Sequence, residues 1–94
     1  MMHPLMSDGR LVERMATGDR GAHQEFADRH RLSVYAQVYA MLIDPTAAEQ
    51  VVVETFDRAW RSAREFNPRA GSPLAWLMEI ARELAERRKH AMTP

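Results

Sequence analysis

The amino-acid sequence predicts an all-α fold, a compact bundle of four helices. Apolar residues recur at three- and four-residue steps in four successive segments, the spacing that places side chains on one face of a helix. No segment alternates apolar and polar residues as a half-buried strand would, and connections of roughly two to eight residues join the four segments, as in helical bundles. The chain has 94 residues, 46% of them hydrophobic, which suits one domain with a single core.

Gly18 separates the first two helices. Ser7 or Asp8 can cap the first, and its apolar side consists of Leu11, Val12, Met15 and Ala16. Asp19 caps the second, which continues to about residue 43 because neither Pro nor Gly interrupts residues 22–43. We expect the inner face of the second helix to contain Ala22, Phe26, Leu32, Tyr35, Val38, Tyr39 and Leu42.

Proline marks the start of the third and fourth helices. Either Asp44 caps the third helix with Pro45 in its first turn, or Thr46 caps it and Glu49 completes a capping box. Its apolar stripe is formed by Val52, Thr55, Phe56, Ala59, Trp60 and Ala63. A loop over residues 66–71 follows, and Ser72-Pro73 begins a fourth helix that runs to about residue 90. The inner face of that helix consists of Trp76, Leu77, Ile80, Ala81 and Leu84.

Composition excludes several classes of protein. The chain has no cysteine, so disulfides, cysteine-based zinc sites, iron–sulfur clusters and thiol catalysis are excluded. No apolar run is long enough for a membrane span, and the N-terminus lacks the apolar segment of a signal peptide. We find no catalytic constellation, phosphate-binding loop or metal-ligand spacing. We therefore expect a cytoplasmic protein that is not an enzyme, needs no cofactor or metal and does not bind membranes.

Charge is distributed unevenly along the chain. The formal net charge is zero, but residues 1–56 carry 5 basic and 8 acidic side chains, whereas residues 57–94 carry 8 basic and 5 acidic ones. A basic second half permits contact with a polyanion such as nucleic acid, although the same count describes ordinary solvated helix faces.

Several motifs together identify a family that these patterns alone do not. They are the stretch AEQVVVETFDRAW, the loop with F-N-P-R-x-G-S, and the start of the last helix, AWLMEIAR. In this order and spacing, over residues 11–89, the chain closely resembles region 2 of extracytoplasmic-function sigma factors, the subunits that give bacterial RNA polymerase its choice of promoter. The resemblance places a sigma region 2 domain at 8–91. Before it, the lack of a helical period and Pro4 predict a flexible leader at 1–7, and a tail at 92–94 follows it.

The resemblance implies two binding surfaces and no catalysis. One face of the third helix would dock on the clamp helices of the largest subunit of core RNA polymerase, through Glu49, Gln50, Val53, Glu54 and Asp57. The loop and the last helix would engage the non-template strand of the −10 promoter element, through Arg64, Phe66, Asn67, Arg69, Ser72, Arg82, Glu83, Arg87 and Lys89. An anti-sigma factor would be a further partner.

Three residues depart from the family's usual pattern. Gln50 and Val53 stand where an aspartate and a glutamine are usual, and Glu83 stands where many members have an asparagine close to the promoter base. Glu83 also lies four residues before Arg87, the spacing of an ordinary surface ion pair. These departures support an alternative in which the domain binds polymerase, an anti-sigma factor or its own copy, and its DNA surface has degraded.

Overall fold

The computed structural model describes residues 6–93, and in that range it contains four α-helices and no strand. The helices are α1 (Asp8–Ala16), α2 (Arg20–Leu42), α3 (Pro45–Arg61) and α4 (Pro73–Met92). A short 3-10 helix, Ala63–Glu65, connects α3 to the loop. The prediction of an all-α, four-helix domain is confirmed. The predicted leader lies mostly on residues 1–5, which are outside the described residues.

Side-chain caps explain where the four helices begin. Ser7, not Asp8, caps α1 by accepting a hydrogen bond from the Arg10 N–H at 3.1 Å. Asp44, not Thr46, caps α3 by accepting one from the Ala47 N–H at 3.0 Å, with Pro45 in the first turn. Asp19 and Ser72 cap α2 and α4 as predicted. Each cap satisfies a backbone donor that the helix itself cannot.

The core lies where α2, α3 and α4 pack on one another, with α1 covering one end of α2. Its largest fully buried side chains include Phe26, Leu11 and Leu77. The Phe26 ring meets Phe56 edge to face at 6.4 Å between ring centroids. Two polar bonds join helices across this core: the Gln37 amide donates to the Met78 carbonyl at 3.0 Å, and the His23 ring bonds to the Phe56 carbonyl at 2.9 Å.

The predicted inner face of α2 is partly wrong. Leu32 is 82% exposed and Tyr39 is also exposed, while Val34, which the prediction left out, is fully buried. The buried residues of α2 are Ala22, Phe26, Ala27, Val34, Val38 and Leu42, so apart from Ala27 they lie at four-residue steps that half-buried His30 interrupts. Because α2 carries a second apolar stripe on its outer side, spacing alone did not distinguish the two faces.

A polar cluster fastens α1 to α2. The Asp8 carboxylate accepts from the Arg29 guanidinium at 3.0 Å and lies 2.8 Å from the His30 ring nitrogen. Arg29 also bonds to Glu25 and to the Met6 carbonyl. Asp8 is therefore an anchor of the α1–α2 contact, and its position in the first turn of α1 also suits the helix dipole. In residues 6–93 no helix is long and apolar enough to cross a membrane.

Candidate nucleic-acid interface

The loop between the 3-10 helix and α4 is held at both of its ends. Pro68 occupies a turn in which the Ala70 N–H donates to the Asn67 carbonyl at 3.0 Å, and the Asn67 side-chain oxygen accepts from the Arg69 N–H at 3.0 Å. Ser72 then caps α4 by accepting from the Ala75 N–H at 3.1 Å. Local bonds of this kind fix the shape of the loop without help from a distant element.

A cavity of about 330 Å³ lies between this loop and the first turns of α4. The half-buried rings of Phe66 and Trp76 stand 5.3 Å apart, inclined at 55°, and form its apolar wall. Polar lining comes from Asn67, Ser72 and Glu79. The Asn67 side-chain oxygen accepts from the Arg69 N–H, which leaves the NH₂ group as a donor and one oxygen lone pair as an acceptor. Proteins bind unstacked nucleobases with aromatic side chains that stack on the base and a few polar groups that bond to its edge.

Arg82 is held by acids of its own helix. Its guanidinium bonds to Glu79 on one side and to Glu86 at 2.9 Å on the other. The hydrogen bond from Arg82 lowers the pKa of the Glu79 carboxyl below its usual range, and Glu79 in turn raises the pKa of Arg82. The alternative ion pair between Glu83 and Arg87 does not form within residues 6–93, where Glu83 stays exposed and has no carboxylate–cation contact.

The other predicted DNA-binding cations are exposed and have no carboxylate within 4.0 Å in the part of the chain that the structure describes. They are Arg64, Arg69, Arg87 and Lys89. Phe66, Asn67 and Ser72 line the cavity together. The structure thus brings the loop residues to one site, and distributes the cations around it and along α4.

The five predicted polymerase-binding side chains are all exposed on α3. Two of them are already bonded within the domain: the Gln50 oxygen accepts from Arg88 at 2.7 Å, and Asp57 pairs with Arg61 at 2.8 Å. Glu49 and Val53 line a groove of about 280 Å³ between α2 and α3.

An exposed apolar face on α2 lies beside this groove, and sequence reasoning missed it. Leu32 and Ile43 are 82% and 66% exposed, and the ring of Tyr39 stacks on that of Tyr35, which lines the groove. No charged residue occurs between Leu32 and Ile43. That uncharged stretch was the signal in the sequence, since a solvated helix face normally carries charge.

Comparison with known proteins identifies the family. The family model for sigma-70 region 2 matches residues 26–91. The chain belongs to the sigma-70 region 2 family. It is 37% identical over 75 residues to proteins named ECF RNA polymerase sigma factor SigK from Mycobacterium sp. strain KMS and from Mycobacterium tuberculosis strain H37Rv. The alignment covers 80% of this chain but only 39% and 40% of those two proteins.

A solved structure has the same fold. It is an NMR structure of the complex formed by an engineered region 2 of sigmaE with GTAAAA, and it superposes with a TM-score of 0.84 at 28% identity. The match covers 96% of this chain and 93% of the other. Resemblance to region 2 of extracytoplasmic-function sigma factors, inferred from the sequence, is therefore confirmed.

Proposed function

We propose that this chain is the −10 recognition module of an extracytoplasmic-function sigma factor and acts with core RNA polymerase in transcription initiation, in the cytoplasm. The observation that carries the proposal is the cavity walled by Phe66 and Trp76, in a domain whose fold matches a region 2 bound to GTAAAA. The chain spans about two fifths of the length of the curated relatives it matches.

The function we propose is strand capture by binding energy, without a chemical step. Taking a base out of the stack costs a few kcal/mol, and stacking on aromatic side chains returns about 1–3 kcal/mol per base. Phe66 would contact the base and Asn67 would donate to its edge. Ser72, at the start of α4, allows close approach of the backbone. The cations Arg64, Arg69, Arg87 and Lys89 would neutralise phosphates, and Arg82 would join them only when released from Glu79 and Glu86.

Binding of fluorescent GTAAAA to the full chain, followed by anisotropy over a range of salt concentrations, tests this function. We expect the double variant Arg69→Ala/Arg87→Ala to bind more weakly and to lose about 0.7 of the log–log salt slope for each phosphate contact removed. The matched control is Arg10→Ala/Arg31→Ala, which removes the same charge from α1 and α2. Equal affinity and slope in the two double variants would contradict the proposed DNA surface.

A second candidate function, protein docking, is favoured by the exposed apolar face of α2. Together with Glu49 and Val53 it forms a continuous surface at the α2–α3 groove. We propose that polymerase contacts this surface through Glu49, Gln50, Val53, Glu54 and Asp57, with the clamp helices as the docking element, and that an anti-sigma factor or a second copy would compete there.

Co-purification with core polymerase tests the docking surface. We expect Leu32→Glu and Val53→Glu to reduce the amount of domain retained, because each places a charge in an apolar contact. Met92→Glu, an exposed apolar-to-acid change at the end of α4, is the control and should leave retention unchanged. Retention of all three variants at the level of the unchanged chain would rule this surface out.

A further inference from the structure

The cavity between the loop and α4 is acidic, although the cations predicted to bind DNA lie around it. In the described part of the chain its charged lining residues are Glu65 and Glu79, and no lysine, arginine or histidine lines it. Two carboxylates disfavour a phosphate inside the cavity, whereas an uncharged base can enter and leave its phosphates outside. The carboxylates can therefore act on the base itself.

Glu79 stands beside the aromatic wall of the cavity. It follows Trp76 by three residues on α4, so the two side chains are neighbours on one face of the helix, and both line the cavity. Glu65, on the 3-10 helix, also lines the cavity but has no cation within 4.0 Å in residues 6–93. Of the two carboxylates, Glu79 is the one that an ion pair holds in place among the described residues.

Arg82 fixes the Glu79 carboxylate and keeps it charged. Its guanidinium donates to both carboxylate oxygens, from Nε to Oε1 at 3.3 Å and from Nη2 to Oε2. This contact lowers the pKa of Glu79, so at neutral pH the group only accepts hydrogen bonds. Each carboxylate oxygen has two lone pairs, and Arg82 occupies one on each, so one on each remains for a ligand.

A carboxylate on the cavity wall distinguishes bases by their exocyclic groups. Adenine, cytosine and guanine each carry an exocyclic amino group, which donates hydrogen bonds. Thymine has none, and its one ring N–H lies between two carbonyl oxygens, which a carboxylate repels. The Asn67 NH₂ group, also on the lining, can donate to an acceptor elsewhere on the edge of the same base.

We propose that Glu79 is a specificity-determining residue of this cavity: its carboxylate accepts from the exocyclic amino group of the captured base, and the cavity therefore takes amino-bearing bases in preference to thymine. The inference rests on the proposed function and deepens it, because it assigns the chemical class of base that is selected beside Phe66 and Trp76. Sites that bond to one polar group of a ligand reject the analogue that lacks the group.

Single-base replacement in GTAAAA, with binding to the full chain followed by anisotropy, tests the role of Glu79. Each adenine in turn is replaced by hypoxanthine, which has nearly the same shape but carries a carbonyl oxygen in place of the amino group. At one of these positions we expect hypoxanthine and thymine to weaken binding about tenfold, and cytosine, which keeps an amino group, to weaken it much less.

The variant Glu79→Gln should bring the ratio of adenine to hypoxanthine affinity at that position close to one, because a glutamine amide can turn its NH₂ donor toward a carbonyl oxygen. The matched control is Glu86→Gln. It removes the same charge from the same arginine of α4, but Glu86 does not line the cavity, so the tenfold ratio should persist.

Three results would overturn the assignment of Glu79 and leave the proposed function standing. They are equal binding of GTAAAA and all its hypoxanthine derivatives, a ratio that Glu79→Gln leaves unchanged, and an equal loss of the ratio in Glu86→Gln. If no oligonucleotide binds, the proposed function fails and this inference fails with it.

Discussion

At the scale of single residues, Arg82 illustrates how intramolecular contacts set the availability of a charge. Its position on α4 suits a phosphate contact, yet both sides of its guanidinium are occupied by Glu79 and Glu86. Such exposed pairs contribute little to stability. They weaken phosphate binding instead, because a phosphate must displace the Glu79 and Glu86 carboxylates before it reaches Arg82.

Releasing Arg82 should strengthen DNA binding. We expect the variant Glu79→Gln/Glu86→Gln to bind single-stranded GTAAAA more tightly and to gain about 0.7 in the magnitude of its salt slope, as one further cation reaches a phosphate. Glu65→Gln/Glu83→Gln removes two carboxylates that pair with no arginine among residues 6–93, so it should raise affinity without adding a contact. Identical slopes for these two variants, measured by anisotropy, would contradict the role of the two acids.

Ile43 is a second residue whose local geometry has a measurable effect. It ends α2 with a left-handed backbone at φ 52°, which is costly for a β-branched residue. Ile43→Gly should raise the free energy of unfolding by about 1 kcal/mol, or Tm by about 4–8 °C, because the side chain is exposed and little burial is lost. Ile43→Ala keeps a Cβ in the same conformation and should give no comparable gain. A lower Tm for the glycine variant would show that Ile43 packing outweighs the strain.

At the scale of elements, the caps decide where helices begin and also add pH dependence. The carboxylate of Asp19 accepts from the Arg14 guanidinium at 2.8 Å and from the Ala22 N–H at 3.1 Å. These contacts, chiefly that with Arg14, hold the pKa of Asp19 below its ordinary value of 3.8. The carboxylate therefore stabilises the α1–α2 turn above that pH.

Acid should lower the free energy of unfolding, because protonation of Asp19 removes its bonds in the turn between α1 and α2. Because the folded-state pKa of Asp19 is the lower one, its contribution is complete above the ordinary value and is lost as pH falls through the folded value, below about pH 4. Asp19→Asn keeps a capping oxygen that does not titrate. In urea unfolding measured from neutral to acid pH, the variant should be less stable at neutral pH and should lose less stability on acidification. Parallel acid losses in the two proteins would contradict this assignment.

The helices were predictable from sequence, whereas the buried face of each helix and the ion pairs between side chains were predictable only in part. Ser72 before Pro73 gave the start of α4 directly, whereas Pro45 located the start of α3 only to within the two candidate caps Asp44 and Thr46. Leu32 was assigned to the wrong face because both sides of α2 are apolar. The ion-pair partners of Arg82 were not predictable from spacing. Glu79 and Glu86 lie at pairing distance along the helix from Arg82, but Glu83 has the same kind of spacing relative to Arg87.

At the scale of the whole molecule, the domain depends on one core to which all four α-helices contribute. Phe26 is fully buried, and its ring contacts both Phe56 and His30. The loop site has no core of its own: Phe66 and Trp76 pack on the outside of this one. Proximity of distant segments, such as α1 and the 3-10 helix, is a property of the packed bundle, and for that reason sequence spacing did not predict it.

Removing the central ring should cost a large part of the stability of the domain. Phe26→Ala is expected to cost about 3–5 kcal/mol, against a total stability of about 5–15 kcal/mol for a typical domain. Leu32→Ala, an apolar truncation on the same helix at an 82% exposed position, should change stability by less than about 0.5 kcal/mol. Urea unfolding followed by circular dichroism distinguishes them, and equal costs would mean that the burial of α2 has been assigned incorrectly.

Phe66 lines a depression on each of its sides: the cavity at the loop, and a second one of about 300 Å³ that α1 and the 3-10 helix also line. A base bound in the loop cavity as proposed and a group bound in the second depression would therefore contact the same ring, and any coupling between their affinities would be equal in both directions.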